Sequence, residues 1–87
     1  MPSYEILVRG KAAKQIKQLP PHYFDLVRQH IDSLAENPRP PDAKKLKGDV
    51  GYSLRVGTYR ILYDIDDGAQ VITIYRIKHR REVYRGL

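Results

Sequence analysis

The chain has 87 residues, enough for one compact domain and too few for two, so residues 1–87 are read as a single unit. It contains no cysteine, which excludes a disulfide framework and a thiolate metal site, and no apolar run reaches signal-peptide or membrane-spanning length, so a cytoplasmic chain is expected. Sixteen Lys and Arg against ten Asp and Glu give a net charge of +6. The excess is uneven: residues 1–43 carry six basic and five acidic side chains, residues 44–87 ten and five. That skew favours a polyanionic partner, either nucleic acid or an acidic protein.

Residues 4–9, Tyr-Glu-Ile-Leu-Val-Arg, read as a short strand rich in aromatic and branched side chains, broken by Gly10. Residues 11–19 then carry Ala12, Ala13, Ile16 and Leu19 at helical spacing, with Lys11, Lys14 and Lys17 on the other side. Pro20 and Pro21 end that helix and open a second, to about Glu36, whose apolar stripe is Phe24, Val27, Ile31 and Leu34. The two should form an antiparallel helical hairpin. A proline-rich connection, 37–41, is followed by a basic loop from Ala43 to Gly51 and by three strands at 52–56, 59–65 and 70–77. Residues 78–87 form a polar tail dense in arginine. The order is strand, two helices, three strands: an α+β domain with the helices packed on one sheet face.

The junction Val56-Gly57-Thr58-Tyr59 fits a two-residue turn with glycine first, of type II′. Such a turn fixes the pairing: Val56 with Tyr59, Arg55 with Arg60, Leu54 with Ile61, Tyr52 with Tyr63. Leu54, Val56, Tyr59 and Ile61 then face the helices, and Arg55 and Arg60 sit side by side on the other face. Like charges directly opposed across a ladder cost roughly 0.2–1 kcal/mol, so stability alone does not favour the pair. A phosphate held between two guanidinium groups converts the repulsion into charge-assisted hydrogen bonds; the competing structural reading has both side chains splayed into water. For the third strand two turns are open, a two-residue turn at Asp67-Gly68 or a three-residue loop with Gly68 in a bulge. The choice decides whether Arg76 or Tyr75 joins the face of Arg60.

Within residues 78–85, Lys78, Arg80, Arg81 and Arg85 accompany His79 and Tyr84. Arginine beside an aromatic ring suits RNA, because guanidinium binds phosphate and a ring stacks on a base. His79 is a candidate acid or base, and Tyr84 a stacking or proton-transfer group. Lys44, Lys45 and Lys47 in the basic loop, with Arg76 on the last strand, extend the candidate RNA surface. His22 and His30 lie without carboxylates at metal-site spacing, and there is no Gly-rich phosphate loop, so neither metal nor cofactor is expected.

Several runs resemble the RelE family of toxins. These are Lys45-Leu46-Lys47-Gly48, the hairpin from Tyr52 to Tyr63 with its Arg-x-Gly-x-Tyr-Arg-x-x-Tyr pattern, and His79-Arg80-Arg81-Glu82-Val83-Tyr84. The Ala12–Pro20 helix and Leu34–Pro38 match as well, so the resemblance spans nearly the whole chain. It implies the toxin of a type II toxin–antitoxin pair, and for RelE-type members a metal-independent endoribonuclease that cuts messenger RNA in the ribosomal A site, with the 2′-hydroxyl as nucleophile. By matched positions, Arg60 is the hairpin arginine on the phosphate and Arg55 stands where the family has a second hairpin lysine. Tyr84 is the tail tyrosine, and Arg80, Arg81 and Lys78 compete for the tail arginine's role. Ser53 departs from the pattern where some members carry a lysine, a candidate base; His79, as in the related YoeB type, or Lys47 could take that part. The resemblance also implies a cognate antitoxin, with DNA bound only through the toxin–antitoxin complex. Two alternatives share the fold: a ParE-like inhibitor of DNA gyrase, and a non-catalytic RNA- or protein-binding module.

Overall fold

In a computed structural model, residues 3–48 and 50–79 are described. Strand β1 (Glu5–Val8) is followed by helices α1 (Gly10–Lys17) and α2 (Pro21–Leu34), then β2 (Lys44–Lys45), β3 (Tyr52–Val56), β4 (Tyr59–Asp66) and β5 (Val71–His79). The expected α+β architecture is present, as one five-stranded sheet in the order β1-β5-β4-β3-β2. β1 runs parallel to β5, and every other pairing is antiparallel.

The helices form where the sequence permits them. α1 carries Lys14 and Lys17 in its last turn, where cations suit the negative end of the helix dipole. α2 opens on Pro21, whose missing N–H would lack an intrahelical partner at that position anyway. Ala12, Val27, Ile31 and Leu34 form one core with Leu54, Val56, Ile61, Tyr63, Ile72, Ile74 and Ile77, all from the helix-facing side of the sheet. α1 is further fixed on β5 by Gln15, whose Oε1 accepts the Ile77 N–H at 2.8 Å.

Two parts of the architecture differ from the sequence reading. The basic loop contains a strand, because Lys44 and Lys45 pair with Ser53 and Tyr52 and edge the sheet. The β4–β5 connection is neither of the two short turns but a four-residue loop, Asp67 to Gln70, with Gln70 at φ 56°. Asp66 Oδ1 accepts the Ala69 N–H at 3.0 Å and closes it, a local side-chain bond typical of aspartate in turns. β5 also runs two residues beyond the expected end, so Lys78 and His79 belong to the sheet rather than to a tail.

A polar clamp ties the proline-rich connection to this loop. Arg39 donates to both carboxylate oxygens of Asp67, at 3.2 and 2.8 Å, and its Nε donates to the Tyr52 hydroxyl at 3.0 Å. Tyr4 donates to Asp67 Oδ1 at 2.7 Å, and Tyr63, otherwise buried in the core, donates to the Pro38 carbonyl at 2.8 Å. Burial pushes the Tyr63 phenol up to about 12. The Arg39 bonds, then the Tyr4 bond, hold Asp67 down at about 2, against an ordinary 3.8. A carboxylate depressed in the folded state contributes stability above its unfolded pKa and loses it as pH falls through the folded one. Asp67→Asn should therefore melt slightly below the wild type at neutral pH, and the gap should close between about pH 4 and pH 2. Thermal melts of both proteins across that range check it; a gap unchanged at pH 2 would remove the ionic account.

Candidate nucleic-acid interface

The turn at Gly57 decides the geometry of the outer sheet face. Gly57 has φ 60°, and no positive φ falls on Thr58, as a type II′ turn requires. The β3–β4 register follows the expected one pair for pair, so Arg55 lies directly opposite Arg60. On the other side of Arg60 stands Lys78. Three cations from three strands thus share one row on the face away from the helices.

Lys44, opposite Ser53, points to the same face, and a groove of about 420 Å³ is lined by Lys44, Arg55, Gly57 and Arg60 together with Asp42. Arg55 is curled onto its own turn, its Nε donating to the Gly57 carbonyl at 3.2 Å. Among the described residues none of Lys44, Arg60 and Lys78 forms an ion pair. Among the described residues Asp42 is the single acid lining the groove, so their field there is positive and suits a phosphodiester.

The next row is Ser53, Leu62 and Arg76. Leu62 and Ser53 are buried at 4% and 3% exposure although they face away from the main core. Among the described residues, the buried Ser53 Oγ and Arg76 Nε have no hydrogen-bond partner. Beyond this row the ladder slips: Leu62 pairs with Arg76, but Tyr63 pairs with Ile74, leaving Tyr75 as an extra residue. A bulge of this kind puts two residues of one strand against one of the other. The choice between Tyr75 and Arg76 therefore resolves into both. Arg76 joins the row of Leu62, and Tyr75 lines a cavity with Asp64 and Thr73 of the same outer face.

The same register places His79. It lies opposite Tyr59, ring centroids 4.9 Å apart in an edge-to-face contact, and lines a small cleft with Gln15, Gln18 and Leu19 of the α1 end. Residues alternate along β5, so His79 is on the helix side when Lys78 is on the arginine side. The histidine is not brought to the arginine pair. Lys45, opposite Tyr52, likewise points to the helix side of the edge strand, while Lys47 is exposed in the loop that follows. Arg80, Arg81, Tyr84 and Arg85 lie outside the described residues. Sequence reasoning missed Asp42, whose place in the groove depends on the path of the proline-rich connection. Among the described residues no three of His, Cys, Asp and Glu gather into a group able to hold a metal, and no helix is long and apolar enough to cross a membrane.

Known proteins are similar to this chain in sequence and fold. Residues 6–84 match the family described as the ParE toxin of the type II toxin–antitoxin system parDE. The chain is 33% identical over 86 residues to the toxin RelG of Mycobacterium tuberculosis, covering 94% of this chain and 97% of that protein. It is 30% identical over 86 residues to a toxin of Methanocaldococcus jannaschii named RelE1, covering 94% and 96%. Among solved structures, a chain of the toxin–antitoxin complex RelBE2 from Mycobacterium tuberculosis superposes with a TM-score of 0.79 at 31% identity, covering 90% of this chain and 99% of that one.

Proposed function

From the premise that the chain belongs to the ParE toxin family of type II toxin–antitoxin systems, within the RelE/ParE superfamily, we propose that this toxin is a RelE-type endoribonuclease that cuts messenger RNA on the ribosome and so stops translation. The observation that carries the reading is the row Arg55, Arg60 and Lys78, three cations opposed across three strands. Each junction in that row costs stability unless an anion is held there.

In the proposed reaction the 2′-oxygen of one nucleotide attacks the adjacent phosphorus as its proton leaves to a base. The bond from phosphorus to the 5′-oxygen breaks, and that oxygen takes up a proton. The products are a cyclic 2′,3′-phosphate and a free 5′-hydroxyl, with no oxidant and no added cofactor. Negative charge grows on the phosphoryl oxygens, and fixed guanidinium donors lower the barrier where that charge develops. Arg60 is assigned that part, with Arg55 beside it; Lys44 and Lys78 hold the flanking phosphates. By family position Tyr84 orients or deprotonates the 2′-hydroxyl and Arg80 or Arg81 adds a further cation. Lys47, Arg76 and Arg85 extend the RNA surface. His79 is assigned no proton transfer at a phosphate on Arg60, because alternation along β5 puts it on the helix side of the sheet.

The relatives named RelE and RelG favour RNA as the target, whereas the family description, ParE, favours the gyrase-directed alternative. Supercoiling by gyrase and translation in a cell-free lysate, run side by side, separate the two. RNA cleavage predicts arrested translation with intact supercoiling, and lost supercoiling with intact translation would overturn it. A neighbouring toxin structure is a complex with its antitoxin, and the corresponding partner here is a cognate antitoxin that covers the cationic face in the cytoplasm and supplies any DNA binding.

A further inference from the structure

A cavity of about 640 Å³ lies on the same outer face but at the other end of the sheet, and the arginine row takes no part in it. It is lined by Arg9, Gly10, Lys11, Val50, Asp64, Thr73 and Tyr75. We infer that it is a second nucleotide subsite, one that seats a base and its phosphate from the same RNA strand that crosses Arg60; the inference rests on the RNA reading above.

Four features point to a nucleotide. First, the bulge turns the Tyr75 ring into the cavity wall, and its hydroxyl is held by the Val50 carbonyl, so the ring is fixed in place. A fixed aromatic wall is a stacking platform for any base. Second, Arg9 follows β1 directly, with its N–H bonded to the Ile74 carbonyl at 2.9 Å, which carries it alongside Tyr75; with Lys11 it brings two exposed cations to the rim. Third, the Asp64 carboxylate is in the cavity with one oxygen accepting the Ile65 N–H at 2.9 Å. A carboxylate repels phosphate but accepts hydrogen bonds from an amino group on a base edge, so the two ends of a nucleotide are told apart. Fourth, Asp64 is four residues along β4 from Arg60, about 13 Å at the usual strand rise. One flexible strand can touch both places. An acidic protein segment would use Arg9 and Lys11 but leaves the aromatic wall and the carboxylate without a role.

The test is binding of fluorescent 2′-O-methyl RNA, which cannot be cut, by the full chain, with an octanucleotide and a dinucleotide compared across salt concentrations. Arg9→Ala/Lys11→Ala should weaken the octanucleotide roughly tenfold at low salt. It should lower the log–log salt slope by about 0.7, the value for one phosphate contact on a single strand. The dinucleotide, too short to span from Arg60, should be unaffected. Tyr75→Leu should weaken the octanucleotide more than Tyr75→Phe, which keeps the ring that meets the base and loses only the hydroxyl that fixes it. Lys14→Ala/Lys17→Ala removes the same charge from the far end of α1 and should leave the affinity near that of the wild type. An equal loss in that control, or no loss in Arg9→Ala/Lys11→Ala while Arg60→Ala still weakens binding, overturns the subsite alone. Wild-type protein that binds neither RNA overturns the RNA reading itself. A double variant that loses an acidic peptide but keeps the octanucleotide marks a protein site and also overturns the inference.

Discussion

Arg60→Ala should cut message on programmed ribosomes about 100- to 1,000-fold more slowly than the wild type while melting no lower. The first part follows from removing a fixed donor at the position where charge develops in the proposed reaction, a loss of the size seen when one donor is removed from an acyl-transfer oxyanion hole. The second follows from register. Arg60 stands between Arg55 and Lys78, and each like-charged junction across a ladder costs roughly 0.2–1 kcal/mol. Alanine removes both junctions and leaves the helix-side core untouched, since Arg60 shares no face with Ile61. Opposite signs in the two measurements are what distinguish a functional cation from a structural one. Arg60→Lys should recover only part of the rate, because an ammonium keeps the charge but not the planar fork that grips two phosphoryl oxygens. Single-turnover cleavage and thermal melts of the three proteins check this together. Cleavage at the wild-type rate, or a variant destabilised by more than about 1 kcal/mol, would show that the row exists for packing.

The central hairpin was legible because its register hangs on a single local feature. A glycine at the first turn position fixes which residues face each other, and strand alternation then assigns every side chain to a face. Arg55 and Arg60 fell together for that reason. The third strand was less legible because its register depends on a four-residue loop and a bulge, and neither carries a unique sequence mark. The bulge is what allows Tyr75 and Arg76 to serve one face, an outcome that strict alternation forbids. The face of His79 was illegible for the same cause: near the arginines in sequence, it is turned away by one residue of alternation once β5 extends to the end of the hairpin. The pairing of Lys44 and Lys45 with β3, and the Arg39–Asp67 clamp, join residues far apart in the chain. Long-range partners of this kind are set by the tertiary path and leave no local spacing to read.

Gly51→Ala should cost at least about 3 kcal/mol of folding stability, the largest single effect expected on the fold. Gly51 sits at φ 84°, and a Cβ built there would lie 2.0 Å from the Tyr63 carbonyl oxygen and 2.8 Å from its carbon. Both atoms are backbone of a central strand, so neither can swing aside as a side chain would. The contact falls at the Tyr63 end of the β4 slip, where the ladder is already irregular. The loop's other ties lie close by: the Leu46 N–H bonds the Gly51 carbonyl at 3.0 Å, and Tyr75 bonds Val50. Relief of the clash therefore has to lift Gly51 and the neighbouring Val50 off the sheet, taking with them the wall of the Tyr75 cavity and the lead-in to the arginine row. Gly48 provides the contrast. It has φ 72°, but a Cβ there meets nothing within 4 Å, so Gly48→Ala carries only the conformational cost of about 1–2 kcal/mol. Urea unfolding of the two variants against wild type measures the difference. Equal midpoints for Gly48→Ala and Gly51→Ala would mean that the approach of the loop to β4 is looser than the geometry requires, and the fixed position of the Tyr75 ring would fall with it.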